Sequence, residues 1–499
     1  MNYPVWELGV PGGLLIAAVA VLHVFVSHFA IGGGAYLVWT ERRAYRHNDA
    51  ALLGYVRRHS VFFALLTVVF GAVSGVGIWF TIGLIAPDAT SSLIHTFVWG
   101  WAIEWVFFFV EIAAALIYAY QWDRLDRRTH MIVGWIYFVA AWGSLAVING
   151  IITYMLTPGR WLETKSFADG FFNPTYLPSL LMRSAMAVAL AGMFGLVTAL
   201  REGSPVRERI VRWAGGWLLA GMVLLPLFGW WYYGKFPPVA HEYVAGLIAA
   251  ARDAAFIGVI GAGAALLLGL IFALWKPRLM NAGVVVLLLV CGLSVMGAGE
   301  YLREFARKPW AITGYIYAND VRAADIVPIS DAGLRQASPW VAGRVEHDPA
   351  LYGHEVFEAE CAACHSLDGY RPIRKLIRGW NATFAHDMLP HLPLTRGTMP
   401  PFAGNEQDRV ALGGYLASIA PPLPPAAAGE LGRQVFDMRC AMCHTLRGKR
   451  RPLDFAGMKP DDVDPLLQGL SDLSPNMPPF SGTEAERRAL ASYLTGAAK

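Results

Sequence analysis

The sequence predicts an all-α protein: a polytopic membrane helix bundle of about eight spans with its N-terminus outside, followed by two small α-helical domains. Three observations predict it. The chain of 499 residues is 55% hydrophobic with a mean hydropathy of +0.41, too apolar for a soluble protein of that length. Its charged residues, 16% of the total, cluster in short Arg-rich segments between long uncharged runs. Beyond residue 310 the character changes: Pro, Asp, Arg and Lys become frequent, and two cysteine motifs recur 79 residues apart.

A bilayer crossing takes about 20 apolar residues. Eight runs qualify: 12–40, 58–86, 96–121, 130–156, 176–200, 211–233, 253–275 and 279–303. Buried core helices of a soluble enzyme do not come eight in succession. The N-terminal MNYPVWELG has no basic n-region, so the first run is expected to be a retained helix and not a cleaved signal. The loops after spans 1, 3, 5 and 7 hold fourteen Arg and Lys residues, among them Arg42, Arg43, Arg57, Arg128, Arg209 and Lys276. The opposite loops hold four: Arg160, Lys165, Lys235 and Arg252. By the positive-inside rule the N-terminus is outside, and eight spans return the tail to the same side. The net charge of +4 is thereby explained by topology, and no nucleic-acid partner is expected. The plan is a membrane region over 1–310, a linker over 311–342, and repeats over 343–420 and 426–499.

The repeats carry the clearest chemistry. The first reads GHEVFEAECAACHSLDGYRPI and later GTMPPFAGNEQDRVALGGYLASI; the second reads GRQVFDMRCAMCHTLRGKRRPL and later NMPPFSGTEAERRALASYLTGA. CxxCH attaches haem c: two thiols bond the porphyrin, and the next His supplies an axial nitrogen. Cys361, Cys364 and His365 form one site, and Cys440, Cys443 and His444 the other. A zinc site would need further ligands nearby, and a thioredoxin motif its βαβ setting. Met399 and Met477 lie 34 and 33 residues after the haem His, each in an MPPF segment. A Met thioether there closes the sixth position and raises the potential, so these haems carry electrons and bind no substrate. Each repeat resembles the class I cytochromes c over about 75 residues. The fifth cysteine, Cys291, lies alone in an apolar run and reads as a buried small side chain.

Ionisable residues inside spans default to functional hypotheses. His23 and His28 lie in span 1. Glu104 and Glu111 lie in span 3, two turns apart on one face. Arg183 lies near the outer end of span 5, and Glu300, Glu304 and Arg307 share a face at the outer end of span 8. By topology His23, Glu104 and the span 8 group fall in the outer half. His28 and His130 are read as non-ligands.

Residues 1–310 resemble subunit I of the cytochrome bd quinol oxidases. VLHVF with His23 is similar to the family's haem-ligand segment. AIEWVFFFVE, QWDRL and THM resemble its third span and following loop. VINGIITYMLTPG and EFARKPW, with Glu304 and Arg307, resemble stretches of its fourth and eighth spans. The resemblance implies axial roles for His23, Glu104 and Glu304 toward one or two noncovalent b- or d-type haems. It also implies a catalytic site of Glu104, Glu111, Glu304 and Arg307, and a second bd-like membrane subunit.

The departures are equally specific. The family's low-spin haem takes a His from span 5 and a Met from span 7; here Arg183 stands at the first place, and span 7 has no Met. The long quinol loop shrinks to 234–252, and the dihaem tail replaces a ninth span. The expected function is respiratory electron transfer: a soluble or membrane-bound redox donor reduces two covalent haems c, and high-spin membrane haems reduce O2 without a quinol site. Glu104 and Glu111 also suit a proton path, and Arg183 a haem propionate. A subunit that only relays electrons within a larger complex is the other open reading. The expected location is the bacterial inner membrane, with the cytochrome c domains periplasmic.

Overall fold

The computed structural model describes residues 10–338, 341, 349–369, 371–426, 429–446, 451–455 and 457–497. MNYPVWELG, parts of 311–342 and parts of both repeats lie outside the described residues. Among those described, strand is limited to β1 (Trp310–Ile312) and β2 (Ile316–Tyr317), an antiparallel pair.

Among the described residues, eight helices are long and apolar enough to cross a membrane: α1 (Gly12–Arg46), α2 (Ala50–Ile85), α3 (Val98–Tyr120), α4 (Arg127–Leu156), α5 (Tyr176–Ala199), α6 (Val206–Tyr233), α7 (Ala249–Trp275) and α8 (Ala282–Arg307). Each covers one expected span. Six run further at one end, α1 and α2 the most: α1 continues past residue 40 to Arg46, and α2 begins at Ala50, not 58. Hydropathy marks the apolar slab, whereas a helix continues wherever its charged side chains reach water. Asp49 sets the start of α2 by accepting a 3.0 Å bond from the Leu52 amide. Asp126 likewise caps α4, accepting from the Arg128 and Thr129 amides.

Within this unit α5 is the central helix; 72% of its apolar window is buried, against 17–44% for the others. Small residues bring α6 onto it. A Cβ at Gly192 would lie 2.3 Å from the Leu218 nitrogen, and one at Gly221 2.3 Å from the Ala189 nitrogen. Such contacts let backbones meet where apolar attraction between helices in lipid is weak. Val73, Trp105, Phe109 and Val259 point outward, as lipid-facing residues do.

The second compact unit contains 308–499. In it α9 (Pro349–Glu360), α10 (Ala382–Met388) and α11 (Glu406–Ile419) form the first repeat; α12 (Leu431–Val435), α13 (Pro460–Gln468) and α14 (Glu484–Ala497) form the second. One device recurs. A Cβ at Gly353 would lie 2.3 Å from the Ala411 carbonyl oxygen, and one at Gly432 2.1 Å from that of Ala489. Phe357 then meets Tyr415 at 5.7 Å, and Phe436 meets Tyr493 at 5.8 Å. The stretch expected as a plain linker is, where described, folded onto the first repeat. Leu334 is buried in that repeat's core, and its amide donates to Asp408 at 2.9 Å.

The two repeats also share a seam. Met438 of the second is buried in the core of the first. It fits there because Gly379 lacks a side chain: a Cβ would lie 2.7 Å from the Met438 sulfur. Arg439 lies between Phe384 of the first repeat and Phe480 of the second, 5.6 and 5.2 Å from the ring centroids.

Candidate functional site

In the first repeat α9 ends at Glu360, and the chain turns through Cys361–Cys364 so that the His365 amide bonds the Cys361 carbonyl at 3.0 Å. The His365 ring donates from Nδ1 to the Arg371 carbonyl at 3.1 Å. In the second repeat the His444 amide meets the Cys440 carbonyl at 2.9 Å, and Nδ1 meets the Arg451 carbonyl at 3.1 Å. Arg371 and Arg451 both have positive φ, 51° and 38°, which aims those carbonyls inward. A carbonyl can only accept, so Nδ1 carries the proton in both rings and Nε2 keeps its lone pair. All four motif cysteines are free thiols. The donor set and the fixed tautomer therefore fit covalent haem c.

Glu360, beside the first motif, is buried. It accepts from the Asn319 side chain at 2.9 Å, and burial pushes its carboxyl up to about 8.

The membrane unit brings the polar span residues together in pairs. Ser144 on α4 donates to Glu104 on α3 at 3.1 Å. Tyr137 on α4 donates to Glu111 on α3 at 3.1 Å. His130 on α4 packs its ring, tilted by 32°, against Tyr118 on α3 at 4.2 Å, and its Nε2 donates to the Tyr118 carbonyl at 2.9 Å. The residues 104, 111, 118 and 144, 137, 130 run in opposite directions at seven-residue steps. Seven residues is two helical turns, about 10.5 Å. The result is one polar seam along the α3–α4 contact, and each rung contributes about 1 kcal/mol. Ser144, Tyr137 and Tyr118 were not among the expected site residues. The matching seven-residue spacing on two successive apolar spans is the sequence signal that points to them.

His23 donates from Nδ1 to the Ser74 hydroxyl at 3.0 Å, because that hydroxyl itself donates to the Phe70 carbonyl at 2.6 Å. Its Nε2 is thereby left as the acceptor. His28 and His59, both buried, have Nε2 atoms without a hydrogen-bond partner among the described residues. His59 was not anticipated.

At the far end of α8, Arg183 pairs with Glu300 at 2.8 Å, and Arg303 pairs with the same carboxylate at 2.8 Å. Arg303 was missed because it reads as a helix-end charge. Glu304 and Arg307 form a separate pair one turn on. Among the described residues no three His, Cys, Asp or Glu side chains gather as a metal-ion cluster, so His23, Glu104 and Glu304 each stand with their own partner.

Comparison with known proteins agrees with this division. Residues 14–234 match the family model described as cytochrome bd terminal oxidase subunit I. Residues 348–416 and 427–494 each match the model described as cytochrome c oxidase, cbb3-type, subunit III. Among solved structures, the bd oxidase from Geobacillus thermodenitrificans is similar in fold, with a TM-score of 0.53 and 15% identity over 61% of this chain and 88% of that chain. Comparison with curated proteins gives no match. The bd match covers six spans; α7 and α8, with Glu300, Glu304 and Arg307, lie beyond it. The chain thus joins a multi-pass membrane region similar to cytochrome bd terminal oxidase subunit I to two domains similar to the cbb3-type cytochrome c oxidase subunit III, an arrangement that implies respiratory, oxidase-like electron transfer.

Proposed function

We propose that the tandem cytochrome c domains receive electrons from a soluble or membrane-bound redox donor and deliver them to the bd-like region, where O2 is reduced. The observation that carries this reading is the Arg183–Glu300 pair. A guanidinium is always protonated and cannot ligate iron. With Arg183 at that place, quinol-linked low-spin haem chemistry is lost, and His365 and His444 supply another electron intake.

His365 with Met399, and His444 with Met477, hold the two haems c. His23, Glu104 and Glu304 hold one or two b- or d-type haems in the membrane. Bound haem supplies one-electron and O2 chemistry; the protein supplies ligands, orientation and protons. Glu111 and Glu104, each hydrogen-bonded across the seam, hand protons along it. Arg307 pairs with Glu304 and orients its carboxylate. The positive-inside bias supports placing the Arg-rich loops in the cytoplasm and the cytochrome c domains in the periplasm of a bacterial inner membrane. A second bd-like subunit completes the complex.

A haem inventory with and without acid–acetone extraction, combined with CO binding to the reduced protein, tests the reading. Extractable haem and a CO adduct are expected, with rapid oxidation of a reduced c-type donor and slow oxidation of quinol. Rapid quinol oxidation without any cytochrome c donor, or no CO adduct, overturns it.

A further inference from the structure

The α3–α4 seam does not stop at Glu111. Its third rung, Tyr118 and His130, lies at the Arg-rich end of the bundle and closes on a carboxylate from a third helix. Glu41, near the end of α1, is fully buried. It accepts from the Tyr118 hydroxyl at 2.5 Å and from His130 Nδ1 at 2.9 Å. The second ring nitrogen of His130 faces the Tyr118 carbonyl at 2.9 Å. Both ring nitrogens thus face acceptors, an arrangement that only the doubly protonated ring satisfies. The site therefore sets a proton donor directly against a buried carboxylate. Trp122 covers the ring at 4.3 Å, and His130 is 2% exposed.

A way in exists. The half-buried Tyr45, one turn beyond Glu41, hydrogen-bonds the same carboxylate, and Arg127 stacks on its outer face at 4.0 Å. Tyr45, Tyr118 and His130 are the titratable groups facing Glu41, with Arg127 behind Tyr45.

We propose that Glu41, with His130, Tyr118 and Tyr45, is a proton-loading site that feeds the Glu111–Glu104 seam from the Arg-rich end. It rests on the oxidase reading above. A proton taken from water at the Tyr45 surface protonates Glu41. It leaves by way of the Tyr118 hydroxyl toward Glu111, and a second proton from the same side restores the site. Transfer over the two turns between rungs would run through a short chain of hydrogen-bonded waters. No electrons move at this site; it supplies protons that O2 reduction consumes. A buried ion pair serving only as a pin between α1 and α4 would need neither the hydroxyl of Tyr45 nor that of Tyr118.

The test uses the holoprotein in liposomes with reduced cytochrome c as donor. O2 consumption is read in H2O and D2O. Glu41→Gln keeps the shape and a hydrogen-bond acceptor but cannot carry the proton. Turnover is expected to fall about a hundred-fold, with a larger solvent isotope effect, an unchanged membrane-haem spectrum and normal reduction of the c haems. Glu41→Asp should recover part of the loss. Wild-type turnover and isotope effect in Glu41→Gln overturn the proposal. If that variant fails to assemble, Tyr118→Phe and Tyr45→Phe decide: unchanged proton uptake in both also overturns it. A wild-type protein that consumes no O2 sinks the oxidase reading instead. Proton uptake on electrochemical reduction of the membrane haems, followed with a pH dye, then still tests Glu41.

Discussion

Arg183 on α5 and Glu300 on α8 are joined by a 2.8 Å ion pair whose side chains are 5% and 15% exposed. Residues 117 apart in the chain are thereby locked across two spans. Removing Glu300 strands two buried guanidinium groups, whereas removing Arg183 leaves Glu300 on Arg303. Glu300→Gln is expected to destabilise the bundle by about 3–5 kcal/mol, Arg183→Leu by less, and the double variant by less than the sum. Thermal unfolding in detergent checks this; independent, additive effects would mean the pair is not coupled.

Met399→Ala and Met477→Ala should each lower one haem c potential and open one CO site, since each removes a thioether from a closed iron. Redox titration with visible spectra reads both. Two wild-type potentials would refute the Met ligation.

His23→Ala should lose membrane haem and keep both haems c, which are covalently attached. The ratio of extractable to covalent haem in the purified protein measures it. An unchanged ratio removes His23 from the ligand set.

Glu304→Gln and Arg307→Ala should both perturb the high-spin membrane haem spectrum and slow turnover while the c haems reduce normally. The two side chains pair one turn apart at the end of α8. If spectrum and turnover stay wild type in both, the pair is structural.

Glu360 predicts a pH dependence. Burial holds its carboxyl up to about 8, against an ordinary 4.5. The folded state therefore binds more protons than the unfolded state between those values. The stability it contributes is full below about pH 4.5 and is lost as pH rises toward 8. An ionised Glu360 beside the Cys361 attachment also favours the oxidised haem, so the first c haem potential should fall as pH rises through about 8. Glu360→Gln should flatten both profiles.

The spans and the haem c motifs were legible because each is a local pattern. Twenty apolar residues or a CxxCH needs no knowledge of what packs where. The partners were not legible in that way. Nothing near Arg183 names Glu300, and Arg303 looks like an ordinary helix-end charge until the fold places it on the same carboxylate. Glu41 reads as part of an Arg-rich helix end, yet it is sealed from water by α3 and α4. The seam lies between: Glu104 and Glu111 were found from their spacing, and the same rule applied to α4 finds Tyr137 and Ser144.

The burial of Met438 in the first cytochrome domain has a consequence for engineering. Each copy of the module has its own glycine-mediated helix crossing, yet Met438 of one completes the core of the other at Gly379. Cutting the tail between them would expose the Met438 side chain and open the cleft it fills, so the two halves should be better expressed together than apart.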